Sequence, residues 1–217
     1  MSGRSWAQGV ATAVIAAAAV LLVVMAEAHA DADDDYRIGL QAYRSGDVVG
    51  SMPVLRRAAD AGHAAAQALF ADILDASDFN EQAVEYYRKS AAQNHPNGQF
   101  GLGSMYAAGE GVKRDPDEAR QWITRAAEQG HEQAINVIAH AYMSGALGVT
   151  EREQNTETAL TWIKRAAANK YVPAIQFLAS SYRSGRFGVV DVALAEQFEA
   201  QARTVRGIKD RPRGKKK

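Results

Sequence analysis

An internal repeat constrains this chain of 217 residues more than any other feature. The stretch from Pro96 to His131 is one unit, and its neighbours on both sides are variations of it. A unit of ~35 residues cannot bury a core alone, so the repeat predicts helix pairs that stack on one another. In each unit a large apolar residue followed by a small one marks the first helix, which we call helix A. These pairs are Ile38-Gly39, Phe70-Ala71, Leu102-Gly103, Ile138-Ala139 and Leu178-Ala179.

A second helix, helix B, follows in each unit. In the third unit Asp115 precedes Pro116, which is typical of a helix start because the carboxylate caps free N–H groups and proline fits the first turn. The small residue Ala119 lets helix B approach helix A, and we expect the bulky Trp122 to fill the space between them. These two columns recur as Ser51, Ala83, Ala119, Ala159 and Ala195, and as Val54, Tyr86, Trp122, Trp162 and Phe198.

The residues in this register are similar to a known family. The stretch LGSMYAAGEGVKRDPDEARQWITRAAEQGH resembles the Sel1-like repeat, a close relative of the tetratricopeptide repeat. The resemblance spans roughly Tyr36 to Arg203. It implies an all-α fold, a right-handed α-solenoid of about five helix-turn-helix repeats that serves as an interaction scaffold. The expected units are residues 36–63, 64–95, 96–131, 132–171 and 172–203.

Residues 1–30 have the organisation of a secretory signal peptide. Arg4 supplies a positive start, Val10 to Ala26 is an apolar run, and Ala28-His29-Ala30 offers the small residues that signal peptidase requires. We expect cleavage between Ala30 and Asp31 and a periplasmic protein. An uncleaved inner-membrane anchor is the alternative, since the run is only slightly shorter than the ~20 residues that span a bilayer. Residues 31–35 are then expected to form a solvated acidic leader.

Residues 204–217 form a basic tail. Asp210 alone opposes its cations, so the net charge of zero conceals an acidic start and a basic end. We expect a disordered, solubilising end, and weak contact with an anionic membrane surface or with an acidic partner is the alternative. No aromatic residues interleave the charges, so nucleic acid is not an expected partner. The cations are Arg206, Lys209, Arg211, Arg213 and Lys215 to Lys217.

The sequence predicts neither a metal site nor a cofactor. It contains no cysteine, so burial between repeats, and not disulfides, has to hold the fold together. His63, His95 and His131 occupy repeat turns, and consecutive units lie ~10 Å apart, too far to share a zinc ion. We expect these histidines to be hydrogen-bonded structural groups. The acidic residues 31–35 lack the glycine and the terminal glutamate of a calcium loop.

Nothing in the sequence predicts catalysis. The resemblance links some relatives to penicillin binding and β-lactam hydrolysis, which implies a Ser-x-x-Lys nucleophile. No lysine here has a serine three residues before it, and Thr161 with Lys164 is the nearest approximation. We therefore expect a scaffold and not an enzyme. A cell-wall-acting or β-lactam-binding enzyme and a membrane-tethered envelope structural protein are the alternatives.

The binding face is expected to be concave and lined by A helices. The position after the small residue of helix A points into this groove, and residues one turn away share its side. These positions are polar or mixed where their neighbours are apolar or small. Asn136 and Gln176 suit a peptide backbone, and Arg183 suits a carboxylate; a merely solvated groove is the alternative. The candidate residues for binding a protein or peptide partner in the cell envelope are Asp72, Asp75, Phe100, Ser104, Asn136, His140, Met143, Gln176, Ser180 and Arg183.

Two local features depart from the simple repeat. The fourth unit is four residues longer than the third, and the extra length lies in the polar stretch Thr150 to Asn155. Insertions map to one edge of a solenoid, so this stretch is either a contact site or a neutral surface loop. In the second unit Asp78 and Glu81 have the spacing of a capping box.

Overall fold

The computed structural model describes residues 31–207, and every regular element in that range is an α-helix. The predicted signal peptide and residues 208–217 of the predicted tail lie outside these residues, whereas residues 204 and 205, predicted to be disordered, are helical. None of the helices between residues 31 and 207 is long and apolar enough to cross a membrane. Residues 31–44 are helical (α1). The helices that follow are α2 (Val48–Asp60), α3 (Ala64–Asp75), α4 (Asn80–Ala92), α5 (Pro96–Ala108), α6 (Pro116–Glu128), α7 (Glu132–Ser144), α8 (Glu151–Gln154), α9 (Glu157–Ala168), α10 (Val172–Ser184) and α11 (Val192–Val205).

The chain groups into two compact parts, an N-terminal part that ends at Gly98 and a C-terminal part that begins at Gln99. In the N-terminal part α3 packs against both α2 and α4. In the C-terminal part α6 packs against α7, α7 against α9, and α10 against both α9 and α11. Helix A of the successive repeats is α1, α3, α5, α7 and α10, and helix B is α2, α4, α6, α9 and α11. The predicted all-α repeat fold is thus confirmed.

The close approach of helix A and helix B at the small positions is also confirmed. A Cβ atom built on Gly103 of α5 would lie 2.6 Å from Cγ1 of Ile123 on α6. In the first unit, a Cβ on Gly39 would lie 2.6 Å from Cγ of Leu55. No side chain fits between the helices at these two positions, which explains the glycines in α1 and α5. The small residues of helix B have no exposed surface in any repeat: Ser51, Ala83, Ala119, Ala159 and Ala195 are all 0% exposed.

The prediction that Trp122 fills the space between the two helices is wrong. Trp122 is only half-buried, and its indole N–H donates to Glu118 at 3.1 Å while Arg125 stacks on its ring at 4.4 Å. The next residue, Ile123, is 1% exposed and occupies the interhelical space. The helical period places the position four residues after the small one directly beneath it, so that position faces the core. It is filled by Leu55, Tyr87, Ile123 and Ile163, none more than 3% exposed.

The start of the first unit differs from the prediction in two ways. The acidic residues 31–35 belong to α1 and do not form a solvated leader. Asp35 accepts two hydrogen bonds from Arg57, at 2.7 and 3.0 Å, so its carboxylate ties α1 to α2. Ile38, aligned with the buried apolar residue of the other A helices, is 49% exposed. No described helix precedes α1 to cover it.

The predicted capping box in the second repeat is wrong. The N-cap of α4 is Phe79, which makes no side-chain cap hydrogen bond. Asp78 instead has a positive φ of 64°. In that left-handed conformation it forms the turn before α4, one residue before the N-cap.

The insertion in the fourth repeat is a structured connection. A capping box between Thr150 and Glu153 begins the short helix α8. Glu153 lies 3.5 Å from Arg120 of α6, and Asn155 accepts a hydrogen bond of 3.0 Å from Arg186, which follows α10. The segment therefore links the repeats on both sides of it.

Candidate functional site

In the N-terminal part of the chain the two candidate residues, Asp72 and Asp75, lie on α3. Asp72 accepts a hydrogen bond of 2.6 Å from the phenol of Tyr87 on α4. Desolvation raises the pKa of the Asp72 carboxyl, and this hydrogen bond opposes the rise. Desolvation and the negative charge of Asp72 raise the pKa of Tyr87, so its proton stays on the phenol. This carboxylate thus has an internal partner that joins helix A to helix B.

The other eight candidates lie on three A helices of the C-terminal part, α5, α7 and α10, and none of them is buried. The structure brings six of them together around two cavities. The hydroxyl of Ser104 donates to the carbonyl of Phe100 at 3.0 Å. Met143 packs against the hydrophobic core of the C-terminal part. These last two residues therefore make internal contacts.

The first cavity, which we call the aromatic cavity, has a volume of about 420 Å³. Three predicted residues line it, Phe100 from α5 and Asn136 and His140 from α7. Sequence reasoning missed the remaining lining residues. Tyr171 occupies the repeat turn where other units have histidine, so its place in the repeat indicated a structural turn residue and not a binding residue. The full lining is Phe100, Gln133, Asn136, Val137, His140 and Tyr171.

The ring of Phe100 is held by the imidazole of His131, which stacks on it at 4.7 Å between centroids with an interplanar angle of 25°. Nδ1 of His131 accepts the N–H of Ala134 at 3.2 Å and thereby caps α7. Desolvation lowers the pKa of His131, which favours the neutral ring that this hydrogen bond requires. Phe100, which lines the aromatic cavity, is therefore held by an uncharged ring that is itself fixed at the start of α7.

The first unit contains the same arrangement. Tyr36 stacks on His63 at 4.4 Å and 27°, and Nδ1 of His63 accepts the N–H of Ala66 at 3.0 Å. The expectation that the turn histidines are hydrogen-bonded structural groups is confirmed for His63 and His131.

Asn136 is the residue of the aromatic cavity with an unmet requirement. Its Oδ1 atom is shielded from solvent and has no hydrogen-bond partner. A buried polar atom without a partner costs about 1–3 kcal/mol. A rotation of the amide towards the cavity would expose a donor and an acceptor to a ligand.

The second cavity, which we call the arginine cavity, lies between α10 and α11 and has a volume of about 390 Å³. Gln176, Ser180 and Arg183 of α10 line it as predicted. The facing helix contributes Glu199 and Arg203, and its C-cap residue is Arg206; sequence reasoning missed all three. The repeat pattern does not assign the charged residues of α11 to a groove. The fact that they face α10 is a property of the packing.

The part of the chain that the structure describes contains no group of three histidine, aspartate or glutamate side chains arranged to hold a metal ion. Thr161 and Lys164, the nearest approximation to a Ser-x-x-Lys motif, are both exposed on α9. Thr161 donates its hydroxyl to the carbonyl of Glu157 at 2.8 Å.

Solved structures with this fold are known from several bacteria. The chain is similar to a protective antigen of uropathogenic Escherichia coli strains with an SLR fold, at 26% identity and a TM-score of 0.69 over 80% of this chain and 38% of that one. It is similar to a Sel1 repeat protein from Oxalobacter formigenes, at 27% identity and a TM-score of 0.68 over 77% of this chain and 69% of that one.

One curated protein with an assigned role also matches part of the chain. It is an exopolysaccharide production negative regulator of Rhizobium leguminosarum bv. viciae, 35% identical over 78 residues. The match covers 31% of this chain and 29% of the regulator. The chain thus spans well under half the length of the regulator and of the Escherichia coli antigen.

The Sel1 repeat family matches three consecutive segments, residues 77–95, 96–131 and 133–171. These segments include α4 to α9, and the second of them is the unit from which the repeat was first recognised. Proteins of this family generally mediate protein–protein interaction and are typically not enzymes. Between residues 77 and 171, this chain therefore consists of Sel1 repeats.

Proposed function

We propose that this protein binds an extended peptide segment of a protein partner in the aromatic cavity. The observation that carries the proposal is the partnerless Oδ1 of Asn136. A peptide group offers one N–H and one C=O, which are the complements of a carboxamide. Turning the Asn136 amide to a bound peptide therefore satisfies an atom that has no partner in the free protein, so this hydrogen bond is gained on binding.

The rest of the aromatic cavity suits an apolar side chain of the same peptide. Phe100, Val137 and Tyr171 supply apolar surface, and the stacked ring of His131 fixes the position of Phe100. A preformed aromatic wall lowers the entropy that binding would otherwise cost. Gln133 and His140 are exposed at the edge, where they remain in water. A small apolar anchor beside one amide with a shielded oxygen is an arrangement common in peptide-binding sites.

The test is selection from a displayed library of random peptides, followed by calorimetric measurement of the selected peptides. We expect Asn136→Ala and Phe100→Ala each to weaken binding about tenfold, since one hydrogen-bonded or apolar anchor is worth about 1.4 kcal/mol. Gln121→Ala is the matched control because Gln121 is exposed on helix B, away from the cavity. Circular dichroism of each variant verifies the fold.

Two results would contradict the proposal. A library that yields no binding peptide would argue against peptide recognition. Selected peptides that bind Asn136→Ala and Phe100→Ala as tightly as the unmutated protein would place the binding surface elsewhere.

The cellular setting is part of the proposal. The similarity to a negative regulator of exopolysaccharide production supports a regulatory role exerted through binding. The signal-like organisation of residues 1–30 supports the periplasm as the compartment. The intact mass of the protein from fractionated cells tests this. A periplasmic species beginning at Asp31 is expected, and a full-length species in the inner membrane would favour an uncleaved anchor.

A further inference from the structure

The arginine cavity has an excess of positively charged lining residues. Three guanidinium groups line it, those of Arg183, Arg203 and Arg206, and all three residues are exposed. The only carboxylate among its described lining residues is that of Glu199. Its remaining wall includes the small side chains of Ala179 and Ala202. The cavity therefore combines an apolar floor with a net positive rim.

Existing contacts hold two of these guanidinium groups in place. Arg183 Nη2 lies 2.8 Å from Glu199 Oε1, and Arg206 Nη2 donates to Gln176 Oε1 at 3.0 Å. A guanidinium group has five N–H donors, so one such contact leaves others for a ligand. Both groups are therefore positioned before any ligand arrives, which lowers the cost of ordering them.

We propose that the arginine cavity binds a carboxylate of an acidic peptide, and that this carboxylate displaces Glu199 from Arg183. The proposal rests on the peptide-binding function proposed above and specifies the charge of the peptide. Glu199 occupies the position that the ligand carboxylate would take, at an ordinary ion-pair distance. The side chains of Arg183 and Glu199 are 52% and 41% exposed, so their ion pair is weak and exchanges readily.

The charge distribution favours a carboxylate over a phosphate group. Glu199 stays close to the cavity after it leaves Arg183, because it is anchored on α11. Its negative charge repels a dianionic phosphate about twice as strongly as a monoanionic carboxylate. The pair between Arg183 and Glu199 also shows that the cavity accommodates a carboxylate group.

A peptide is favoured over an isolated anion because the two cavities lie on neighbouring elements. The aromatic cavity is lined by α7 and the arginine cavity by α10, and these two helices contact each other directly. A peptide of about 12 residues spans up to ~40 Å when extended, so it is long enough to reach across two adjacent helices.

The test uses a fluorescein-labelled peptide of about 12 residues in which glutamate alternates with alanine, and a counterpart with glutamine in place of glutamate. Binding to the full chain is measured by fluorescence anisotropy at low ionic strength, because salt screens exposed charges. We expect the acidic peptide to bind about tenfold more tightly than the neutral one. Arg183→Gln should abolish this preference, and Glu199→Gln should strengthen binding of the acidic peptide by removing its competitor.

Arg152→Gln is the matched control, since it makes the same change in net charge at an exposed arginine of α8. If it weakens binding of the acidic peptide as much as Arg183→Gln, the attraction is general and the proposal is overturned. The proposal is also overturned if both peptides bind equally, or if a phosphopeptide or an anionic vesicle binds more tightly through Arg183.

The outcomes separate this inference from the proposed function. If Asn136→Ala weakens the selected peptides while Arg183→Gln leaves the acidic preference unchanged, the aromatic cavity remains a peptide site and only the carboxylate site fails. If Arg183→Gln abolishes acidic binding while Asn136→Ala weakens no peptide, the carboxylate site stands and the aromatic cavity fails.

Discussion

Replacing Gly103 with alanine tests whether close helix packing holds each repeat together. The new Cβ would lie 2.6 Å from Cγ1 of Ile123 and 3.1 Å from both the carbonyl oxygen of Ala119 and the backbone nitrogen of Ile123. The side-chain contact can relax, but the two backbone contacts require α5 and α6 to separate. Overpacking of this kind costs about 1–3 kcal/mol, and alanine recovers up to ~1 kcal/mol of helix propensity. We expect a net loss of about 1–2 kcal/mol.

Thermal and urea denaturation followed by circular dichroism measure this change. A loss of this size lowers the Tm by about 2–8 °C in a chain of this length. The alanine and glycine variants of Gln121, an exposed position on α6, measure the helix-propensity contribution separately. In the Ile123→Ala background, Gly103→Ala should cost less, because the nearest contact is gone. An unchanged or increased stability of Gly103→Ala would refute the close approach of the two helices.

Three further predictions concern helix starts. Desolvation holds the pKa of His131 below its unfolded value near 6.5, so the stability that this residue contributes above that pH is lost as the pH falls. In His131→Asn the side chain can still accept the N–H of Ala134, so the free energy of unfolding, measured by urea denaturation, should fall less between about pH 7 and pH 5. Asp115→Ala removes the acceptor that caps α6 and should cost about 1 kcal/mol, while Asp115→Asn should retain most of the stability in the same assay. Hydrogen bonds from Thr150 lower the pKa of Glu153, so its contribution is present at neutral pH and is lost in the acid range; Glu153→Gln should remove that part of the acid dependence.

Local chemistry made the helices predictable. Asp115 accepts hydrogen bonds from the N–H groups of Asp117 and Glu118, and Pro116 occupies the first turn, as the order of these residues indicated. These interactions lie within four consecutive residues, so they do not depend on the rest of the fold. The repeat turns at His63 and His131 also depend on local chemistry, since the preceding Gly62 and Gly130 adopt the left-handed conformation that ends helix B.

Predictions failed where they required knowledge of the surface that a side chain faces. The bulk of Trp122 suggested burial, whereas Ile123 is buried and the indole lies under Arg125. The spacing of Asp78 and Glu81 suggested a capping box, but the backbone of Asp78 is left-handed. In both cases residue type was informative, and the direction of the side chain depended on backbone geometry.

The sequence by itself determined the all-α repeat fold, helix starts such as that of α6, and the register that leaves the eight candidate residues on α5, α7 and α10 unburied. These properties follow from the periodicity of apolar and small residues, which acts within one helix pair. Only the tertiary structure decided which of those residues share a cavity. Tyr171 and Phe100 line one cavity, and Glu199 pairs with Arg183, although 71 and 16 residues of chain respectively separate them. Such proximity depends on how the two helices of a pair pack together and on how one pair stacks on the next, and no local pattern encodes that geometry.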